Sequence, residues 1–249
     1  MVSALNLLAS VAYALGLFTA WQDRSFRPLL LLVAGSGAML GQPLWARLFG
    51  NATSLSGSAL QVGHLYSLPY AAIYVGGALL ALPPVAVIYG LRHNWWQQHY
   101  AAGWVFYLLF VLFFLILDTF GLDNNIAIYA RPQLERVMLL ASVLQVLLLA
   151  GVSFGLLYSF VATRHYALRI ALLPLLASGL AATFLFNGIL ASPFWVASFI
   201  QQQSSRTGSA LPDQLVLVGA IIAIALILWG IHLLASSLHE GRRQRLQWR

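Results

Sequence analysis

The run LDTFGLDNN, residues 117–125, closes one of the most apolar stretches of the chain with two aspartates and two asparagines. A carboxyl group in apolar surroundings favours its neutral form and can then give or take a proton. Asp118 is therefore a candidate acid/base, with Glu135 as a second catalytic carboxylate. Arg136 adjoins Glu135, and adjacent residues on a helix do not face each other, so one of the two points into the bundle. An inward Arg136 would suit a carboxylate or phosphate headgroup. His64, Tyr70, Tyr74, Gln42 and Asn187 are the polar residues that would line a substrate site beside them. Together they describe acid/base chemistry on a lipid or isoprenoid. The same residues support a plainer account. Asp118 precedes Gly121 by three residues, about 4.5 Å of helix rise, so it also reads as an interfacial residue before a glycine-capped end and paired with Arg131 or Arg136. Glu135 likewise suits the first turn of a helix, where the dipole favours an acid.

Other chemistry is excluded by residue type or by spacing. The chain has no cysteine, hence no disulfide, thiolate metal site or cysteine nucleophile. It has no lysine either, so no Schiff base forms; a retinal protein of the microbial rhodopsin kind would need one. The six histidines show no HxxxH, ExxH or HxH spacing, so no metal site is expected, and no cofactor is identified.

The elements that would position these residues follow from hydropathy. Of 249 residues 61% are hydrophobic and 8% charged, with a mean hydropathy of +0.83. A soluble domain carries about 25% charged residues, so this surface belongs in lipid. A membrane core about 30 Å thick takes roughly 20 apolar helical residues to cross. About seven segments qualify, at 3–21, 28–48, 66–91, 101–121, 134–163, 168–192 and 213–236. Barrel strands would alternate over about ten residues, and nothing here alternates in that way. The expectation is an all-α, polytopic membrane protein, with residues 1–249 forming a single transmembrane bundle.

Arginine distribution orients it. With the N-terminus outside, Arg24, Arg27, Arg92, Arg164, Arg169, Arg242, Arg243, Arg245 and Arg249 fall on the cytoplasmic side, against Arg47, Arg131, Arg136 and Arg206 outside. That skew obeys the positive-inside rule, places the C-terminus in the cytoplasm, and explains the net charge of +7 without nucleic acid. The expected location is multi-pass, in a bacterial cytoplasmic membrane.

Four further features bear on packing. Gly37 and Gly41 form a GxxxG spacing that admits a close neighbour or a second copy. Pro83 and Pro84 should kink the third helix and free carbonyls that can line a cavity. Gln145 reads as interhelical glue. Residues 193–212 begin amphipathic, and Phe194, Trp195 and Phe199 are expected in the outer interface as a lid over the polar residues. Three functions fit: a bundle that binds a hydrophobic small molecule or serves as a subunit of a membrane complex; an intramembrane enzyme; or a small-solute transporter. The expected partners are the bilayer, a lipid or isoprenoid ligand, and a membrane protein or a second copy of the chain.

Overall fold

Apolar runs too long for a soluble core become helices because a helix satisfies its backbone internally where no water can. The computed structural model describes residues 2–48, 59–62, 66–69, 72–92, 100–123, 138–206 and 214–247. Its helices are α1 (Val2–Asp23), α2 (Arg27–Leu48), α3 (Gly77–Arg92), α4 (Tyr100–Asp123), α5 (Met138–Thr163), α6 (Leu168–Thr183), α7 (Ser192–Arg206) and α8 (Gln214–Gln247). Two π-helical segments, Ala72–Gly76 and Phe184–Leu190, precede α3 and follow α6. Among the described residues five helices are long and apolar enough to cross a membrane: Ile73–Gly90, Ala101–Thr119, Leu140–Thr163, Leu168–Leu190 and Gln214–Ser237. Arg27–Gly41 is a shorter apolar helix. Large apolar side chains such as Leu108, Ile116, Leu173 and Ile221 face outward, as lipid-facing surfaces require.

The third helix does not begin at residue 66. Residues Ala59–Val62 (β1) and Tyr66–Pro69 (β2) pair as an antiparallel hairpin, with Ala59 opposite Pro69 and Val62 opposite Tyr66. Pro69 explains part of this: a residue before proline is pushed out of the α region, so Leu68 favours a strand. Helical structure starts at Ala72.

The bundle is organised around α5. Some 78% of its apolar window is buried, against 22% for α4, so α5 is the central helix and α4 a peripheral one. It packs against α2, α3, α4, α6 and α8. The tightest approaches are made by small residues on α2. A methyl on Gly179 of α6 would run into the Ala34 carbonyl, and one on Gly35 would run into the Gly77 carbonyl at the start of α3. Gly41 lies against Thr183, whose methyl is 3.0 Å from where a Cβ would stand, while Gly37 meets only Leu180 at 4.0 Å. The GxxxG face of α2 is thus turned to α6 within the same chain.

Polar contacts fill in where helices are interrupted. Pro84 removes the N–H that would bond the Leu80 carbonyl four residues earlier. Ser153 of α5 donates its hydroxyl to that carbonyl at 2.8 Å, so the freed group ties α3 to α5. At one end of the bundle Arg27 donates to the carbonyls of Thr163 (3.3 Å), Arg164 (2.5 Å) and Tyr166. The last carbonyls of a helix lack intrahelical partners, and here one guanidinium reaches the final one, Thr163, together with two carbonyls of the turn that follows. The start of α2 and the α5–α6 turn therefore lie on the same side.

Two measurements test this packing. Gly179→Ala should prevent stable folding in mild detergent, whereas Gly37→Ala should leave thermal unfolding unchanged; equal tolerance of both would refute the α2–α6 approach. Ser153→Ala should cost about 1 kcal/mol. In a Pro84→Ala background the restored N–H can take over the Leu80 carbonyl, so most of that cost should vanish. Additive effects in the double variant would show that Ser153 does not act through this carbonyl.

Candidate functional site

The sixth apolar run, expected as one helix over 168–192, is helical to Leu190 but changes from α to π geometry within it. The α-helical part, α6, ends at Thr183, whose hydroxyl bonds the carbonyls of Gly179 (2.9 Å) and Ala38 (3.4 Å) and so fastens this point to α2. The chain then widens into the π segment Phe184–Leu190, turns at Ala191 (φ −89°, ψ −1°), and restarts as α7. The Ala191 N–H reaches back five residues to the Phe186 carbonyl at 3.0 Å. Pro193 has no N–H for the Ile189 carbonyl four residues before it. The Ser192 hydroxyl takes that carbonyl at 2.8 Å. Ser-Pro is also a good helix start, since proline suits the first turn.

This break lies deep in the bundle. The Phe186 ring packs on Gly151, midway along α5 (Met138–Thr163). The π segment contacts α2, α5, α7 and α8. From there α7 runs antiparallel to α8: Leu190 meets Gly230, while the Pro193 carbonyl and Ala197 meet Gly219, nearer the start of α8. The chain from α6 through the π segment thus leads directly into α7, packed on α8.

The inward face of α7 is polar. Ser198, Gln201 and Ser204 are buried, with Phe194 and Trp195, whereas Val196, Phe199 and Ile200 face outward. The buried side of α8, the helix α7 packs on, has only small or aliphatic residues, Val216, Ala220, Ala223 and Ile227 among them. Phe194 and Trp195 are accordingly part of the bundle wall and do not form the interfacial lid expected from the amphipathic pattern. A pattern with polar residues on one side does not say which side faces water when the surroundings are lipid.

Two side chains at the break stand out. Asn187, 4% exposed, sits in the π segment, and Ser198, 0% exposed, lies on α7. Neither the Asn187 Nδ2 nor the Ser198 Oγ has a hydrogen-bond partner among the described residues. A buried donor without a partner costs about 1–3 kcal/mol. π-bulges concentrate at functional sites, and irregular backbone at membrane depth persists where it is packed in protein or lines a cavity.

The remaining candidates are dispersed. Asp118 is half-buried on α4, one helical turn beyond the fully buried Phe114 and on the same face. α4 packs chiefly against α5, α8 and α3, whereas the π segment packs on α2, α5, α7 and α8, so Asp118 and Asn187 stand on separate elements. Tyr74, in the first π segment, is 47% exposed and stacks on Tyr13 with ring centres 4.7 Å apart and planes 8° apart. Gln42 belongs to α2, with its side chain outside what is described. His64, Tyr70, Glu135 and Arg136 lie outside the described residues. Gln145 is buried on α5. Sequence reading passed over Ser198, and its signal was available: a serine one turn beyond Phe194 and Trp195, after a Ser-Pro restart. Among the described residues no group of three metal-ligating side chains occurs.

No protein-family model, curated protein or solved structure matches the chain.

The cost of the unpartnered amide is measurable. Asn187→Leu keeps the branched outline of the side chain and removes the donor, so the ligand-free protein should unfold later, by about 1–2 kcal/mol. A destabilised Asn187→Leu variant would mean that the amide is engaged and that the break carries no such cost.

Proposed function

We propose that this chain is a membrane bundle that holds a hydrophobic small molecule in its interior, at the break between α6 and α7. The observation that carries the reading is the Asn187 amide: buried at mid-depth, on an irregular segment where four helices meet, and without a hydrogen-bond partner among the described residues. Natural bundles satisfy such groups, and this one satisfies proline-freed carbonyls at Leu80 and Ile189. An open donor at the break fits a ligand that completes it. Co-purification settles the matter: native mass spectrometry of protein extracted gently from its own membrane should find a small molecule on the wild type and much less on Asn187→Leu. A protein partner with no small molecule would favour the alternative, a subunit of a membrane complex.

A second reading, a small-solute transporter, is favoured by the α6–α7 break. Half-helices meeting near the midplane are a recurring way to build transporter sites. Here the two halves belong to different neighbours, α6 to α2 and α5, α7 to α8. Accumulation of a solute in sealed vesicles would move the assignment from binding to transport.

The finer topology belongs to the same proposal. We take α1, α2, α3, α4, α5, the α6–α7 crossing and α8 as seven passes, with the N-terminus outside, in a bacterial cytoplasmic membrane. The Arg27 contacts support it, since they put the α1–α2 turn and the α5–α6 turn on one side. So does Gly103, near the start of α4, where a Cβ would come within 2.9 Å of the Ala235 methyl near the far end of the α8 span. The chain has no cysteine, so single-cysteine labelling is clean. Ser3→Cys and Ser209→Cys should react with an impermeant maleimide on intact cells, and Ser25→Cys only after permeabilisation. The reverse pattern would invert the orientation.

A further inference from the structure

The chemistry of the break narrows what it would hold. Two groups there without a hydrogen bond among the described residues are the Asn187 Nδ2, which can only donate, and the Ser198 hydroxyl, which can both donate and accept. The backbone acceptor exposed by Pro193 is already taken by Ser192. Both groups can donate, and a ligand that supplies acceptor oxygens would complete them. Charge decides which kind. The buried polar side chains among the described residues are Thr, Ser, Asn and Gln; none is charged. An anion at this depth would be desolvated with no cation to compensate it, at a cost of several kcal/mol. A neutral carbonyl accepts the same hydrogen bonds without that cost.

Resting on the binding reading above, we propose that the α6–α7 break is a carbonyl-binding site: Asn187 and Ser198 donate to the carbonyl oxygens of an uncharged, lipid-soluble molecule. Asn187 stands on the π segment and Ser198 on α7, two elements packed on each other and both on α8. A ligand engaging both groups bridges the break and fixes α7 relative to α6. The rest of such a molecule is apolar, and the residues buried around the break, Phe186 and Phe194 among them, are largely apolar too. Two kinds of membrane compound carry this chemistry, a quinone ring and an ester-linked glyceride.

The test uses the full-length protein, stripped of bound lipid in detergent, with three probes: decylubiquinone, dioleoylglycerol and decylbenzene, which has no acceptor. Thermal unfolding is followed against probe concentration. Saturable stabilisation is expected from a carbonyl probe, and the probe that gives it identifies the quinone or the glyceride source; decylbenzene should give little. Losing two hydrogen bonds of about 1 kcal/mol each weakens binding roughly thirtyfold. The expected result is therefore a thirtyfold higher midpoint for the carbonyl probe on the Asn187→Leu/Ser198→Ala double variant. Ser198→Ala alone, the smallest change, should raise the midpoint about fivefold and keeps the test usable if the double variant folds poorly. Equal stabilisation by decylbenzene, or unchanged carbonyl affinity in both variants, overturns the carbonyl assignment and leaves hydrophobic binding standing. No effect of any probe, with no co-purifying molecule on the native protein, overturns the binding reading itself.

Discussion

The arrangement depends on how closely α6 can lie against α2. Gly179 has no side chain, so its backbone rests against the Ala34 carbonyl, and Thr183 one turn later reaches the Ala38 carbonyl at 3.4 Å. In lipid there is little hydrophobic gain in bringing two helices together, so close backbone packing and interhelical hydrogen bonds carry much of the association. The same helix α2 makes a second such approach through Gly35 to the Gly77 carbonyl. With α3 and α6 both held to α2, and α5 packed against all three, the path of α6 is set. At Thr183 the chain is fastened to α2, and only beyond it does the helix widen and turn.

A second rule runs through the molecule: each proline-freed carbonyl with an observed partner finds it in a serine. Ser153 serves Leu80 across the α3–α5 interface, and Ser192 serves Ile189 within the break. This changes the meaning of Pro83 and Pro84, whose kink was expected to open acceptors toward a cavity. One of those acceptors is instead spent on helix pairing. Against this pattern the open Nδ2 of Asn187 and Oγ of Ser198 carry weight, because both sit at the break itself, beside a carbonyl that has found its serine.

The sequence made the broad architecture legible because length and polarity are strong signals in a bilayer. Runs of twenty apolar residues have few alternatives to helix, and the apolar outward faces follow from the same fact. Asn187 was legible as a lone amide in the run FLFNGIL. The break around it was not, since an apolar run has the same composition whether it winds as an α- or a π-helix; only Ser192-Pro193, a helix-start pair, marked the restart. The hairpin at residues 59–69 escaped because four-residue strands show too few alternations to register. The α7 face was misread for a different reason: amphipathicity assigns the polar side to water by habit, and in lipid the polar side of α7 turns inward.

The acid/base constellation fares differently from the amide. Asp118 continues the buried face of α4 past Phe114, yet α4 is the most lipid-exposed of the five long apolar helices and packs chiefly against α5, α8 and α3. A carboxylate there lies in the last turns of α4, a position that suits a helix end. The two groups singled out at the break, the Asn187 amide and the Ser198 hydroxyl, are neutral. Their place, where the backbone changes from α to π geometry and then turns, is one that packing holds, as irregular backbone inside a bundle requires.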